Sequence, residues 1–101
     1  MNEPLFSLDA YIAKIPDFPQ AGITFYDISP ALEDPHAFAQ MTDAFCKKAS
    51  AYEPDLLVGI DARGFLFGAA AAISLGCGLV MVRKTGKLPG ETVETSYSLE
   101  Y

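Results

Sequence analysis

Two short runs of apolar, β-prone residues do most to fix what this chain can fold into: Leu56-Leu57-Val58-Gly59-Ile60 and Leu79-Val80-Met81-Val82. Neither alternates with polar residues, which is the pattern of strands buried on both faces of a parallel sheet. Between them lies an Ala-rich stretch, Phe65 to Leu75, with Gly76 placed as its C-terminal stop. Strand, helix, strand in that order is a βαβ unit, whose crossover is expected to be right-handed. The fold class that follows is α/β. In open sheets of this kind ligands sit beyond the carboxyl ends of the strands, so the turns after Ile60 and Val82 are the first places to look for chemistry.

The flanking segments read less uniformly. Leu8, Tyr11, Ile12 and Ile15 recur at helical spacing, which predicts a helix from about Ser7 to Lys14 that Pro16 ends. Residues 16–22 form a turn-rich connection with two prolines and Gly22, and Ile23 to Ile28 is a short extended piece. Asp34-Pro35 is an N-cap followed by proline at the first helical position. With Phe38, Met41, Phe45, Ala49 and Tyr52 on one face, it predicts a helix from about Pro35 to Ser50. From Thr92 onward Val93, Thr95, Tyr97, Leu99 and Tyr101 alternate with polar residues, as in a half-buried strand. The sequence stops in mid-alternation, and two crossover strands with three helices are a thin supply of layers for a parallel sheet. The expectation is the N-terminal part of a larger α/β domain.

Composition narrows the function classes. With 101 residues the chain holds one domain at most; half its residues are apolar and a fifth charged, which is globular arithmetic. The longest apolar run, Phe65 to Leu75, is broken by Gly68 and Ser74 and is shorter than the roughly 20 residues a membrane span needs. The first residues carry acid rather than Lys or Arg, so no secretory signal is expected and a cytoplasmic location is the default. Cys46 and Cys77 belong to no metal or redox spacing, and with His36 as the single histidine there is no zinc set; both cysteines read as reduced, core-filling thiols. A net charge of −6 argues against a nucleic-acid surface. The cations are nevertheless unevenly placed: of seven, only Lys14, Lys47 and Lys48 lie outside two short Gly-containing segments. That distribution suits a small anion better than a polymer.

The first of those segments is Gly59-Ile60-Asp61-Ala62-Arg63-Gly64-Phe65, the turn from buried strand into Ala-rich helix. Helix N-terminal amides favour anions, and the guanidinium of Arg63 suits phosphate oxygens. The spacing is neither G-x-G-x-x-G nor a Walker loop. The same residues also fit a plainer arrangement, with Asp61 capping the helix and Arg63 pairing with it at the surface. The second segment is Arg83-Lys84-Thr85-Gly86-Lys87-Leu88-Pro89-Gly90. Three cations within five positions repel one another unless an anion or solvent screens them, so a solvated charge run is the alternative. Two such loops at one sheet edge favour a polyphosphate or sugar-phosphate ligand. A third candidate is Gly22-Ile23-Thr24-Phe25-Tyr26-Asp27-Ile28, where Phe25 offers either a platform for a planar ring or ordinary core packing.

These segments, together with Ile15-Pro16-Asp17-Phe18-Pro19, Asp27-Ile28-Ser29-Pro30, Leu66-Phe67-Gly68 and Ser96-Tyr97-Ser98-Leu99-Glu100-Tyr101, resemble adenine phosphoribosyltransferases in order and spacing across essentially the whole chain. The resemblance implies a type I phosphoribosyltransferase fold, with residues 1–34 as a hood segment and 35–101 as the first part of the α/β core. It implies purine salvage: adenine and phosphoribosyl pyrophosphate giving AMP and pyrophosphate, with Mg2+ carried largely by phosphate oxygens, usually in a homodimer. Carried over by motif, Phe25 stacks on adenine with Thr24 and Tyr26 supplying nearby backbone contacts. Asp61, Ala62 and Arg63 form the pyrophosphate loop, and Arg83, Lys84 and Lys87 hold the same diphosphate, either within one chain or by reaching across the dimer. The resemblance assigns catalysis to Arg63, Glu100 and Tyr101, the last two in a flexible loop over the reacting centre.

Two departures stand out. Tyr26 occupies a position where relatives often carry Arg or Gln. No acidic pair followed by a Thr/Gly-rich turn occurs, so the motif that holds the ribose 5-phosphate is absent and the 101 residues alone are expected to be inactive or nearly so. The alternatives are an enzyme for another purine base and a non-catalytic sensor of phosphoribosyl pyrophosphate.

Overall fold

The computed structural model describes residues 7–97. Leu99, Glu100 and Tyr101, on which part of the expected strand and two expected catalytic residues fall, lie outside the described residues. Contacts divide the chain into two units, one up to Met41 and one from Thr42.

The first unit departs from the expected N-terminal helix. Leu8–Tyr11 forms a single 3₁₀ turn, and Ala13–Ile15 is a strand, β1. It pairs antiparallel with β2, Phe25–Asp27, matching Ala13 to Asp27, Lys14 to Tyr26 and Ile15 to Phe25. Two turns of isolated helix carry too few hydrogen bonds to offset nucleation. A ladder partner at Phe25–Asp27 therefore outweighs the local 3.6-residue spacing, and Pro16 ends a strand rather than a helix. The connection closes through Phe18 N–H to the Ile23 carbonyl at 3.0 Å and Gly22 N–H to Asp17 Oδ1 at 3.0 Å. Gly22 sits at φ +85°, which glycine adopts without a Cβ clash.

A short helix, α1, spans Ser29–Glu33 where the sequence reading placed none. Its signal is local: Asp27 Oδ1 accepts both the Ser29 N–H at 2.9 Å and the Ser29 hydroxyl at 2.7 Å, and Pro30 lies in the first turn. The helix expected next, α2, spans Pro35–Ser50. Asp34 caps it as its position implies, with Oδ2 accepting the Ala37 N–H at 3.1 Å. Ala37 and Met41 are buried along its inner face, whereas Tyr52, beyond its end, is exposed.

The second unit contains the βαβ element. Strand β3, Leu56–Ile60, runs parallel to β4, Gly78–Val82, with Leu56 opposite Gly78 and Ile60 opposite Val82. Between them α3, Arg63–Leu75, packs on β3 and β4. It starts two residues before the expected Phe65. Gly76 ends it in the left-handed region at φ 75°, and the Cys77 N–H returns to the Ala72 carbonyl at 3.0 Å. Phe45 of α2 meets Phe67 of α3 with ring centroids 5.3 Å apart. Cys46 and Cys77 are free and half-buried, the Cys46 thiol lying 3.8 Å from the Ala71 carbonyl.

Burial on both faces of β3 and β4 is not observed. Leu57, Gly59 and Leu79 turn toward α3, but Leu56, Val58, Ile60, Val80 and Val82 lie on the other face and are between 43% and 62% exposed. The continuous apolar runs therefore encode a two-sided strand, while the described residues supply a layer on one side. The expected strand from Thr92 is also absent over the described part: residues 92–97 have no regular structure and Val93 is fully exposed. Alternation specifies which face is apolar, but a strand forms only where another strand accepts its hydrogen bonds. No helix of the described residues is long and apolar enough to cross a membrane.

Candidate anion site at the carboxyl ends of the parallel strands

The turn from β3 into α3 is shaped by two glycines. A Cβ on Gly59 would lie 2.8 Å from the Gly64 carbonyl oxygen, so only glycine lets the start of α3 close onto the end of β3. The Asp61 N–H donates to the Val82 carbonyl at 2.9 Å, carrying the pairing one step past the last matched residues, Ile60 and Val82. The Asp61–Ala62 peptide is cis. Ala62 is the N-cap of α3, and the Phe65 N–H turns back to its carbonyl at 3.1 Å. The first amides of α3, beginning with Arg63, thus emerge at the carboxyl end of the sheet, where a helix terminus carries positive partial charge.

Asp61 does not act as the helix cap. Its Oδ2 instead meets Nε of Arg83 at 3.4 Å, an ion pair in which the Asp61 side chain is 16% and the Arg83 side chain 35% exposed. The Arg83 guanidinium also lies 5.8 Å from the centre of the Phe65 ring, in the first turn of α3, a distance at which ring and cation attract. Structure therefore brings together Asp61, Phe65 and Arg83, and with them the two loops that the sequence singled out. The Asp61–Arg83 pair and the approach of Arg83 to the Phe65 ring went unforeseen. The signal was the strand register: once Ile60 faces Val82, the next residue of each strand end stands beside the other.

Beyond Arg83, the Lys87 N–H closes a turn onto the Lys84 carbonyl at 3.1 Å, with Gly86 at φ 84°. Lys84 and Lys87 are exposed, and among the described residues neither has a carboxylate partner. Ala62 and Arg63 are also exposed. The arrangement is a helix N-terminus, one guanidinium paired to Asp61 and two exposed ammonium groups in the loop after β4, a set of donors suited to a phosphate-bearing anion. Among the described residues no three His, Cys, Asp or Glu side chains converge as a metal cage.

The third candidate segment belongs to the first unit. Phe25, half-buried in β2, receives the Phe18 ring edge-on, with centroids 5.1 Å apart and planes at 74°. Thr24 and Tyr26 flank it and are exposed.

Comparison with known proteins agrees with this architecture. No family model matches the chain. An adenine phosphoribosyltransferase from Gluconobacter oxydans is 50% identical over 99 residues, 98% of this chain and 55% of the relative. The crystal structure of adenine phosphoribosyltransferase from Thermoanaerobacter pseudethanolicus superposes with a TM-score of 0.87 at 48% identity, covering 93% of this chain and 55% of that one. The Saccharomyces cerevisiae adenine phosphoribosyltransferase, solved with an imino-altritol bisphosphate and adenine, gives 0.77 at 43% identity over 83% of this chain and 52% of that one. The parallel sheet with its helix is that of a type I phosphoribosyltransferase fold. The chain spans about half the length of the curated relatives it matches. Over nearly all of its own length, it is homologous to the adenine phosphoribosyltransferases.

Proposed function

We propose that this chain is part of an adenine phosphoribosyltransferase of purine salvage, which transfers the phosphoribosyl group of phosphoribosyl pyrophosphate to adenine and releases AMP and pyrophosphate. The observation that carries the reading is the meeting of the β3–α3 turn and the post-β4 loop through Asp61 and Arg83. That meeting supports the reading because it draws the two cation-bearing loops together at the carboxyl end of the sheet, as a diphosphate leaving group would need. As the adenine nitrogen bonds to the anomeric carbon and the bond to pyrophosphate breaks, negative charge grows on the departing oxygen. Fixed donors stabilise that charge without reorganising.

In this reading Arg63, with the backbone of Asp61 and Ala62, and the side chains of Arg83, Lys84 and Lys87 hold the diphosphate. Phe25 forms the adenine platform, supported by backbone groups of Thr24 and Tyr26. Glu100 and Tyr101 act in a loop over the reacting centre. Residues 1–34 serve as the hood and 35–101 as the first part of one catalytic domain, which works in the cytoplasm as a homodimer. With Asp61 already paired to Arg83, Mg2+ would take its oxygen donors mainly from the phosphates and water, neutralising their charge. Neither nucleic acid nor a membrane is a partner.

Calorimetric titration of the chain with adenine, guanine, hypoxanthine and inorganic pyrophosphate tests this. Adenine and pyrophosphate are expected to bind and the keto purines to be rejected, because a site built for one hydrogen-bonding edge leaves groups unpaired with the other. Failure to bind pyrophosphate, or preference for a keto purine, overturns the reading. AMP formation from adenine and phosphoribosyl pyrophosphate is expected to be negligible with these 101 residues alone.

A further inference from the structure

Arg83 is held in an unusual way for a residue meant to bind an anion: its ion-pair partner is a carboxylate. The Asp61 backbone is tied by its N–H to the Val82 carbonyl at 2.9 Å, and Val82 immediately precedes Arg83. The contact uses Nε, at 3.4 Å from Oδ2. An arginine bound through Nε keeps both terminal nitrogens, with four N–H donors, for another acceptor. The guanidinium is fixed a second time, 5.8 Å from the Phe65 ring, so it stands beside the first turn of α3. There it adds positive charge to a helix end that is already positive, an arrangement that favours an incoming anion.

We propose that Asp61 is a positioning residue: by holding Nε of Arg83 its carboxylate aims the terminal guanidinium nitrogens at the diphosphate, and that side chain contributes nothing to binding except through Arg83. The inference rests on the phosphoribosyltransferase reading of this site. It makes a prediction opposite in sign to simple electrostatics. Removing a carboxylate from the neighbourhood of an anion should strengthen binding if only charge mattered, because like charges repel. Removing a strut should weaken it, because the arginine then loses rotamer freedom on binding.

The test is calorimetric titration of inorganic pyrophosphate into the full 101-residue chain and its Asp61→Asn, Asp61→Glu, Arg83→Gln and Asp61→Asn/Arg83→Gln variants, at fixed ionic strength. Asp61→Asn is expected to weaken pyrophosphate binding by about fivefold to tenfold, up to ~1.4 kcal/mol. Asp61→Glu keeps the charge but moves the carboxylate by one methylene, and it is expected to weaken binding as well. Arg83→Gln is expected to cost at least as much, and adding Asp61→Asn to it to cost nothing further, which a merely structural role for Asp61 would not produce. If the wild-type chain binds pyrophosphate while Asp61→Asn binds it equally or more tightly, or if the two substitutions add in full, the positioning role is wrong and the site reading survives. If the wild-type chain does not bind pyrophosphate, both fall. Should Asp61→Asn fail to fold by circular dichroism, the charge-conserving Asp61→Glu decides: unchanged affinity overturns the proposal.

Discussion

Gly59 and Gly64 lie against each other across the turn from β3 to α3, so closely that a Cβ on Gly59 would sit 2.8 Å from the Gly64 carbonyl oxygen and 3.1 Å from its carbonyl carbon. The obstacle is backbone and cannot swing aside. Gly59→Ala is therefore expected to destabilise the chain by about 1–3 kcal/mol, the usual cost of overpacking. Urea unfolding followed by circular dichroism measures this. A midpoint equal to wild type would mean that the turn has more room than these distances allow.

The start of α2 offers a milder test. Asp34 Oδ2 accepts the Ala37 N–H at 3.1 Å, and Pro35 occupies the first helical position. Asp34→Ala is expected to lower stability by about 1 kcal/mol, whereas Asp34→Asn retains an accepting oxygen and should fall within a few tenths of wild type. Equal losses from both substitutions would show that the negative charge matters and the cap hydrogen bond does not.

The residues explain why some of this architecture was legible and some was not. The ends of α2 and β3 could be read because their signals are local: Asp34-Pro35 starts the helix, and an uninterrupted apolar run bounded by polar residues defines the strand. The 3₁₀ turn and β1 could not, because Leu8, Tyr11, Ile12 and Ile15 fit a helix while the deciding partner, Phe25–Asp27, lies ten or more residues away. The same holds at the candidate site. Arg63, Arg83, Lys84 and Lys87 were visible as cations in glycine-containing loops after strands. The Asp61–Arg83 pair, separated by 22 positions, needed the register of β3 against β4 to be seen.

Lys14 and Asp9 provide a pH-dependent observable in the first unit. Their ion pair is 2.9 Å long, and the hydrogen bond that Lys14 donates to Asp9, with the carboxylate's charge, raises the Lys14 ammonium above the ordinary 10.5. A raised folded-state value means that the pair's contribution is fully present below pH 10.5 and is lost as the pH climbs through the folded-state value. NMR titration of the lysine side chains should find Lys14 deprotonating at higher pH in the wild-type chain than in Asp9→Asn. Coincident curves would show that the pair does not persist in solution.

Phe25 should separate the two halves of the proposed chemistry. Its ring is braced edge-on by Phe18 at 5.1 Å, which fixes a face for stacking. Phe25→Ala is expected to weaken adenine binding by about 1–3 kcal/mol, the range for one base stacked on an aromatic side chain. Pyrophosphate affinity should stay unchanged. If adenine affinity is unaffected while stability drops, Phe25 is core rather than platform.

Lys84, Lys87 and Arg83 should differ in how salt modulates their contribution to anion binding. The two lysines are exposed, and among the described residues no carboxylate holds them, whereas Arg83 is fixed by Asp61 and Phe65. Exposed point charges act through solvent and are screened over about 8 Å at physiological ionic strength. Lys84→Ala and Lys87→Ala should therefore each weaken pyrophosphate binding by a factor of about two to ten at low salt, an effect that shrinks as salt is added. Arg83→Gln should cost more and depend less on salt, because the donors it removes are directional and already in place. Titrations of the three variants across a salt series decide the matter. Parallel salt dependences would mean that Arg83 acts as one more diffuse charge and that its pinning by Asp61 has no part in holding the anion.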